Sequence, residues 1–226
     1  MLKKLFERKD HKYKFTIQEP TTETCPNCGS KLENIPDWKN GKMTCPYCGE
    51  VIVVRSGKLF TSDEANVRDL LDKINRTLFD IEITRQYFNS TRQKLSNEFG
   101  IKASINDTIW RILNLINTPQ KSFQQRKFIY LAMSHILRME NKSTNEVMAK
   151  FHQMDLLEIK EFMKDSGLDV VVKIQTCNDE FVCDECRKLS KIIFTIDEAL
   201  KTMPIPNMCT NESCRCSWAI QFSEYD

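Results

Sequence analysis

"TCPNCGSKLENIPDWKNGKMTCPYCGEVIVV", residues 24–54, contains the phrase Cys-Pro-x-Cys-Gly twice, at Cys25–Gly29 and Cys45–Gly49. Sixteen residues separate Cys28 from Cys45. Two thiolates two residues apart grip one ion only if the backbone turns tightly between them. Pro26 and Pro46 preset φ for that turn, and Gly29 and Gly49 supply the positive φ that follows it. Four thiolates at ~2.3 Å close a tetrahedral site around zinc, which is structural rather than catalytic. A segment this short holds too small an apolar core to stand alone, so the ion is expected to supply much of its folding free energy. Strands are expected at "KMTCP" and "EVIVVR", the latter a Val51-Ile52-Val53-Val54 run with little exposure.

The two knuckles resemble the zinc-ribbon family over roughly residues 23–56. The resemblance implies a ribbon domain at 23–60 with Cys25, Cys28, Cys45 and Cys48 as ligands. A thioredoxin-like redox pair is the bland alternative, and no βαβ pattern surrounds these cysteines to favour it. Ligand spacing does not separate zinc from iron here. Lys31, Lys39, Lys42, Arg55 and Lys58 lie on or near the ribbon, with Trp38 and Tyr47 as rings on which bases could stack. No basic run is dense enough to mark a phosphate track. The first reading is therefore a solvated basic face over a core that includes Trp38 and Tyr47, and nucleic-acid binding comes second.

Composition bounds the class. The chain has 226 residues, 41% hydrophobic and 28% charged, as in ordinary globular proteins. The start "MLKKLFERKDHKYKF" lacks the uninterrupted apolar stretch of a signal peptide, and no run approaches the ~18 apolar residues of a membrane span. A cytoplasmic location is the expectation, and there ten cysteines argue for metal rather than disulfides. Net charge is +2, shared unevenly: +4 over residues 1–60, +2 over 61–166 and −4 over 167–226. Residues 1–22 read as a basic arm preceding the ribbon.

From 61 to 167 the pattern turns helical. "TSDEANVRDLLDKIN" opens with a Thr61-x-x-Glu64 capping box and sets Leu70, Leu71 and Ile74 on one face. "TRQYFNSTRQKLSNEFG" runs from a Thr84 cap to Gly100, and "NDTIWRILNLIN" carries an Ile109, Ile112, Leu113, Ile116 stripe ended by Pro119. "SFQQRKFIYLAMSHILRMEN" follows, then a helix capped at Ser143-x-x-Glu146 and closed by Gly167. The expectation is a small bundle of four or five helices, with Met133, Met139, Met148, Met154 and Met163 filling its core. His135 and His152 belong to no convergent set of acids, bases and nucleophiles and read as core or surface residues.

Periodicity then switches to two. "LDVVVKIQT" and "KIIFTI" read as strands, "DEALKTM" as a short helix, "PIPN" as a rigid loop and "SWAIQF" as a last strand. Among them lie Cys177, Cys183, Cys186, Cys209, Cys214 and Cys216. Residues 168–226 are thus expected to form a small α+β module, which makes the whole chain α+β. The order Cys-x2-Cys, "KLSKIIF", acidic helix, Pro-rich loop and Cys-Arg-Cys looks like the carboxy-terminal cysteine module of phage minor head (head morphogenesis) proteins, over about residues 170–222. That family carries Pro-Pro-x-His before Cys-Arg-Cys, whereas this chain has "PIPNMCTNESCRC", where Cys209 can replace the imidazole. The resemblance implies Cys183, Cys186, Cys209 and Cys216 as ligands, with Cys214 the alternative to Cys216, and a phage-related protein type. Cys177 reads as a free thiol, and Arg187, Lys188, Lys191 and Arg215 as cations offsetting the site's charge.

Two closed four-thiolate sites leave no coordination position for a substrate or activated water, which argues against metalloenzyme chemistry. The expected function is a non-catalytic, zinc-binding interaction protein holding two ions and docking a protein partner. Nucleic-acid binding through ribbon and arm is the alternative. A nuclease or other enzyme on a zinc-stabilised fold is a third, with Asp179 or Asp184 as candidate carboxylates.

Overall fold

The computed structural model describes residues 23–36, 40–164, 170–177, 179–211 and 214–222. The basic arm, Trp38, Lys39 and Gly167 lie outside the described residues. The fold is α+β, with helices in the middle of the chain and one three-stranded sheet towards each end. Two compact units divide it: one runs as far as Leu70 and takes in Ile83–Asn89, and the other comprises Leu71–Glu82 and the chain from Ser90 onward.

In the first unit β1 (Asn40–Thr44), β2 (Val51–Arg55) and β3 (Lys58–Thr61) form an antiparallel sheet in that order. Sequence reading expected the first two strands and missed β3. Its signal was the Ser56-Gly57 pair, both at positive φ, which is the two-residue hairpin turn that joins Arg55 to Lys58. As the middle strand, β2 buries both faces. Ile52 and Val54 join Leu32, Leu59, Cys25 and Cys45 on one side, while Val53 meets Phe60 and Ala65 on the other. This explains an apolar run where a half-exposed strand would alternate. Val51, at the strand's start, is exposed. Helix α1 (Ser62–Thr77) follows directly, its first turn held by the Glu64 amide donating to the Thr61 hydroxyl at 3.1 Å, as the capping box predicts.

Helix α2 (Arg85–Phe99) starts where the Tyr87 amide donates to the Thr84 hydroxyl at 3.2 Å and stops at Gly100 with φ +68°. In the second unit α3 (Ile105–Ile116), capped by Ser104, buries Ile109, Ile112 and Leu113. A complete capping box between Ser122 and Gln125 opens α4 (Phe123–Met139), which packs along α5 (Asn145–Lys164) and against α3. Helix α5 begins one residue later than the Ser143 capping box predicts, because Thr144, fully buried, takes the flanking place and accepts the Met148 amide through its carbonyl. Four of the five helical methionines are buried as expected. Met139, at the last turn of α4, is exposed. Lys127 on α4 reaches Asp155 at 2.9 Å and Glu158 on α5. Burial works against its ammonium, but the two carboxylates outweigh it and hold its pKa up.

The carboxy-terminal sheet has order β5 (Ile193–Thr195), β4 (Val170–Gln175), β6 (Ser217–Phe222), all antiparallel. Between its strands lie α6 (Asp184–Leu189), α7 (Ile196–Thr202) and the short turn α8 (Pro204–Asn207). The expected rigid loop "PIPN" is a kinked turn in which Ile205 is extended at φ −113° and ψ 132°, and the second knuckle runs straight into α6, which periodicity did not reveal. Val172, Ile174, Val182, Leu189, Ala199, Ile205 and Trp218 pack with Leu156 of α5 and with Cys186, Cys214 and Cys216 into one core. The sheet module therefore borrows part of its core from the helical region.

His152 sits on α5 with no exposed surface and, among the described residues, no hydrogen-bond partner at either ring nitrogen. Burial alone pulls its pKa down to about 4. A histidine depressed in the folded state contributes stability that is present above the unfolded value of ~6.5 and lost as pH falls towards the folded value, on the order of 3 kcal/mol for a shift of this size. Replacing the orphaned ring with a similar-sized aliphatic group removes both the desolvation cost and this proton uptake. His152→Leu is expected to unfold at the same or higher denaturant concentration than wild type at pH 7. Between pH 6.5 and 4 its stability is expected to fall less steeply, as read by urea unfolding across that range.

Candidate metal centres

At the amino-terminal site the two knuckles adopt matching backbone turns. The Cys25 amide donates to the Ser30 carbonyl at 2.8 Å and the Gly29 amide to the Cys25 carbonyl at 2.8 Å. The Cys45 amide bonds Glu50 at 2.8 Å, and the Gly49 amide bonds Cys45 at 2.9 Å. Gly29 and Gly49 stand at φ +76° and +73°, as the phrase Cys-Pro-x-Cys-Gly requires. The turns aim all four sulfurs at one point: Cys25, Cys28, Cys45 and Cys48 lie within 4.8 Å of one another. Cys25 and Cys48 are 3.8 Å apart at Sγ, as are Cys28 and Cys45. A regular tetrahedron with metal–sulfur bonds of ~2.3 Å has sulfur–sulfur edges of about 3.8 Å. The site is thus proportioned for a tetrahedral ion. Cys25 and Cys45 are buried against Leu32, Ile52, Val54 and Leu59, while Cys28 and Cys48 face solvent.

The carboxy-terminal site gathers five sulfurs. Cys183, Cys186 and Cys209 lie within 4.8 Å of one another, and so do Cys186, Cys214 and Cys216. Cys183 caps α6, its sulfur accepting the Cys186 amide at 3.4 Å, and lies 3.7 Å from Cys209. That places Cys186 one helical turn on, pointing into the core, and gives it membership of both trios. Cys209 follows α8, its amide held by the Pro206 carbonyl at 2.9 Å. Cys214 and Cys216 immediately precede β6 and are both buried. Either trio can hold a metal ion, as can the amino-terminal four.

Charge around the second site is managed by arginines. Arg215 donates to Asp179 at 2.6 Å and lies over the Phe181 ring, while Arg187 donates to the carbonyls of Val182 and Asp179 at 3.1 and 3.0 Å. These bonds fix the loop before the knuckle and keep two cations beside the thiols. Lys188 instead pairs with Glu185 at 2.7 Å. Asp179 accepts both Arg215 and the Phe181 amide at Oδ1 and belongs to neither trio. Cys177, exposed, donates to the Arg215 carbonyl at 3.5 Å and belongs to neither trio, matching its reading as a spare thiol.

The thiols divide by environment. Burial pushes Cys25 up to about 11, whereas the hydroxyl and amide of Ser30 bring Cys28 down to about 6. Burial works against the Cys183 thiolate too, but the Cys186 and Thr210 amides and the Thr210 hydroxyl outweigh it and lower its pKa to about 6. Burial raises Cys186, Cys214 and Cys216, and takes Cys209 to about 11. A cation entering either cluster must therefore displace protons, which makes its affinity fall as pH falls.

Every sequence-predicted ligand lies in one of the two clusters, with both Cys214 and Cys216 present. One expectation fails: Tyr47 does not pack the amino-terminal core. It stands at the knuckle tip, 67% exposed, because the aliphatic side chains of β2, β3 and Leu32 already fill that core. Arg55 is also engaged, with Asp69, while Lys31, Lys42 and Lys58 are exposed. No helix among the described residues is long and apolar enough to cross a membrane. No protein-family model matches the chain, and no curated protein or solved structure matches it either.

A Cβ placed on Gly49 meets nothing within 4 Å, so any cost of adding one comes from the left-handed backbone rather than a clash. That cost is roughly 1–2 kcal/mol. Gly49→Ala is expected to weaken metal binding at the amino-terminal site about tenfold, as measured by competition with a chromogenic chelator, and to leave the carboxy-terminal site unchanged.

Proposed function

We propose that the chain is a non-catalytic, zinc-binding interaction protein with one structural ion at each cysteine cluster. The observation that carries this reading is the pair of 3.8 Å sulfur–sulfur edges at the amino-terminal cluster, the proportion of a four-thiolate tetrahedron. Zinc suits such a site because it accepts thiolate donors and tetrahedral geometry without redox chemistry. Burying a Leu, Ile or Val contributes about 1.5–3 kcal/mol, and a structural zinc about 10–16. The ion is therefore worth about as much as all four aliphatic residues of the amino-terminal core together. On this reading the first cluster belongs to a zinc ribbon, and the second to a module of the kind found in phage minor head proteins, which favours a phage or prophage setting. Both sites are closed and serve to hold rigid surfaces towards a protein partner in the cytoplasm.

A second reading rests on Tyr47. An exposed ring at a knuckle tip, with exposed Lys42 and Lys58 on the flanking strands, is a combination that stacks a base and contacts phosphate. The two readings separate by salt. Affinity for nucleic acid falls steeply with salt, by a slope that counts phosphate contacts, whereas protein docking depends on it modestly.

Metal analysis of the purified protein is expected to give two zinc ions per chain, with Cys25→Ser and Cys186→Ser each lowering the count by one. A count that either substitution leaves unchanged contradicts the assignment of that site. Single-stranded nucleic acid, titrated from low to high salt, is expected to bind weakly or not at all. Tight, salt-sensitive binding lost in Tyr47→Ala replaces the interaction-protein reading with the second one.

A further inference from the structure

The two clusters differ in number. The amino-terminal site has four sulfurs for four coordination positions, and all four lie mutually within 4.8 Å. The carboxy-terminal site has five, arranged as two trios that share Cys186. On an extended segment residues two apart share a side, so Cys214 and Cys216 face the same way and Arg215 the other. The Cys-Arg-Cys segment leads straight into β6, which begins at Ser217, and both sulfurs turn inward. Cys214 is 1% exposed and Cys216 6%, and Arg215 between them points out to Asp179. The same core closes over both, with Val172, Ile174 and Trp218 alongside. Both lie within 4.8 Å of Cys186.

We propose that Cys214 and Cys216 are interchangeable fourth ligands of the carboxy-terminal ion, completing a tetrahedron with Cys183, Cys186 and Cys209. The site takes a soft, thiophilic divalent cation such as zinc or cadmium, and the sulfur left out stays beside it. Four thiolates around a divalent ion carry a formal charge of −2, which Arg187 and Arg215 offset. A tetrahedral ion offers four positions to five sulfurs, so one is left out. Exchange between the two needs only a short sulfur displacement within one tripeptide. The amino-terminal site has no such reserve. This inference rests on the metal-site reading above.

The test uses the full chain loaded with cobalt(II), whose thiolate-to-metal charge-transfer band and visible d–d pattern report four-sulfur coordination, together with zinc counted per chain. Wild type and the amino-terminal cluster serve as internal references. Cys214→Ser and Cys216→Ser are each expected to keep two ions per chain and the four-sulfur spectrum. The double substitution is expected to lose the second ion or to show a three-sulfur spectrum. If one single substitution reproduces the double while the other matches wild type, the fourth ligand is fixed and the proposal is overturned. Three ions per wild-type chain overturn it as well, because they place two metals among five sulfurs with Cys186 bridging. A wild-type chain that binds one ion or none fails the metal-site reading itself, a result distinct from either. Should a single variant fold poorly, cadmium-113 resonance of the wild type provides the same decision. Two environments at the carboxy-terminal site, coalescing on warming, support exchange, and one temperature-independent line there opposes it.

Discussion

Four cysteine sulfurs held within 4.8 Å of one another are the constraint on which the first unit depends. Thiols gain little from meeting one another, and as thiolates they repel. Their convergence needs a cation to reward it. Everything local serves that meeting point: two identical turns, two glycines at positive φ and a short sheet whose middle strand carries a metal-side face and an apolar far face. The aliphatic core on the metal side is four residues deep, enough to orient the sulfurs and too little to replace an ion.

The second cluster is embedded differently. Cys186, Cys214 and Cys216 are members of an apolar core that reaches into α5 through Leu156. Packing and coordination therefore share the work there, whereas the amino-terminal site leans on coordination. This difference also surrounds the surplus sulfur with apolar packing, which suits a free cysteine, since it behaves in a core much as a small hydrophobe does. The arginines at 187 and 215 do their work outside that core, through carbonyls and Asp179, so they lower the cost of the charge without entering the sulfur cluster.

Much of this was legible in the chain because short-range chemistry encodes it. Cys-Pro-x-Cys-Gly dictates its own turn, Thr61 and Thr84 announce helix starts, and Gly100 marks a stop, all within a few residues. What escaped depends on partners far along the sequence. Strand β3 is four residues long and reads as a strand only once β2 lies beside it. Tyr47 passed for core because composition does not reveal that Leu32 and Leu59, from opposite sides of the knuckles, already occupy the space. Helix α5 starts at Asn145, one residue past the place Ser143 marks, and the Ser143 hydroxyl accepts the Asn145 amide at 3.4 Å instead.

Zinc K-edge X-ray absorption on the purified full chain tests the coordination most directly. A first shell of four sulfurs per ion at about 2.3 Å, with no light-atom contribution, is the expected result. A shell of oxygen or nitrogen, or a protein that folds with no bound metal and its cysteines joined as disulfides, would contradict it.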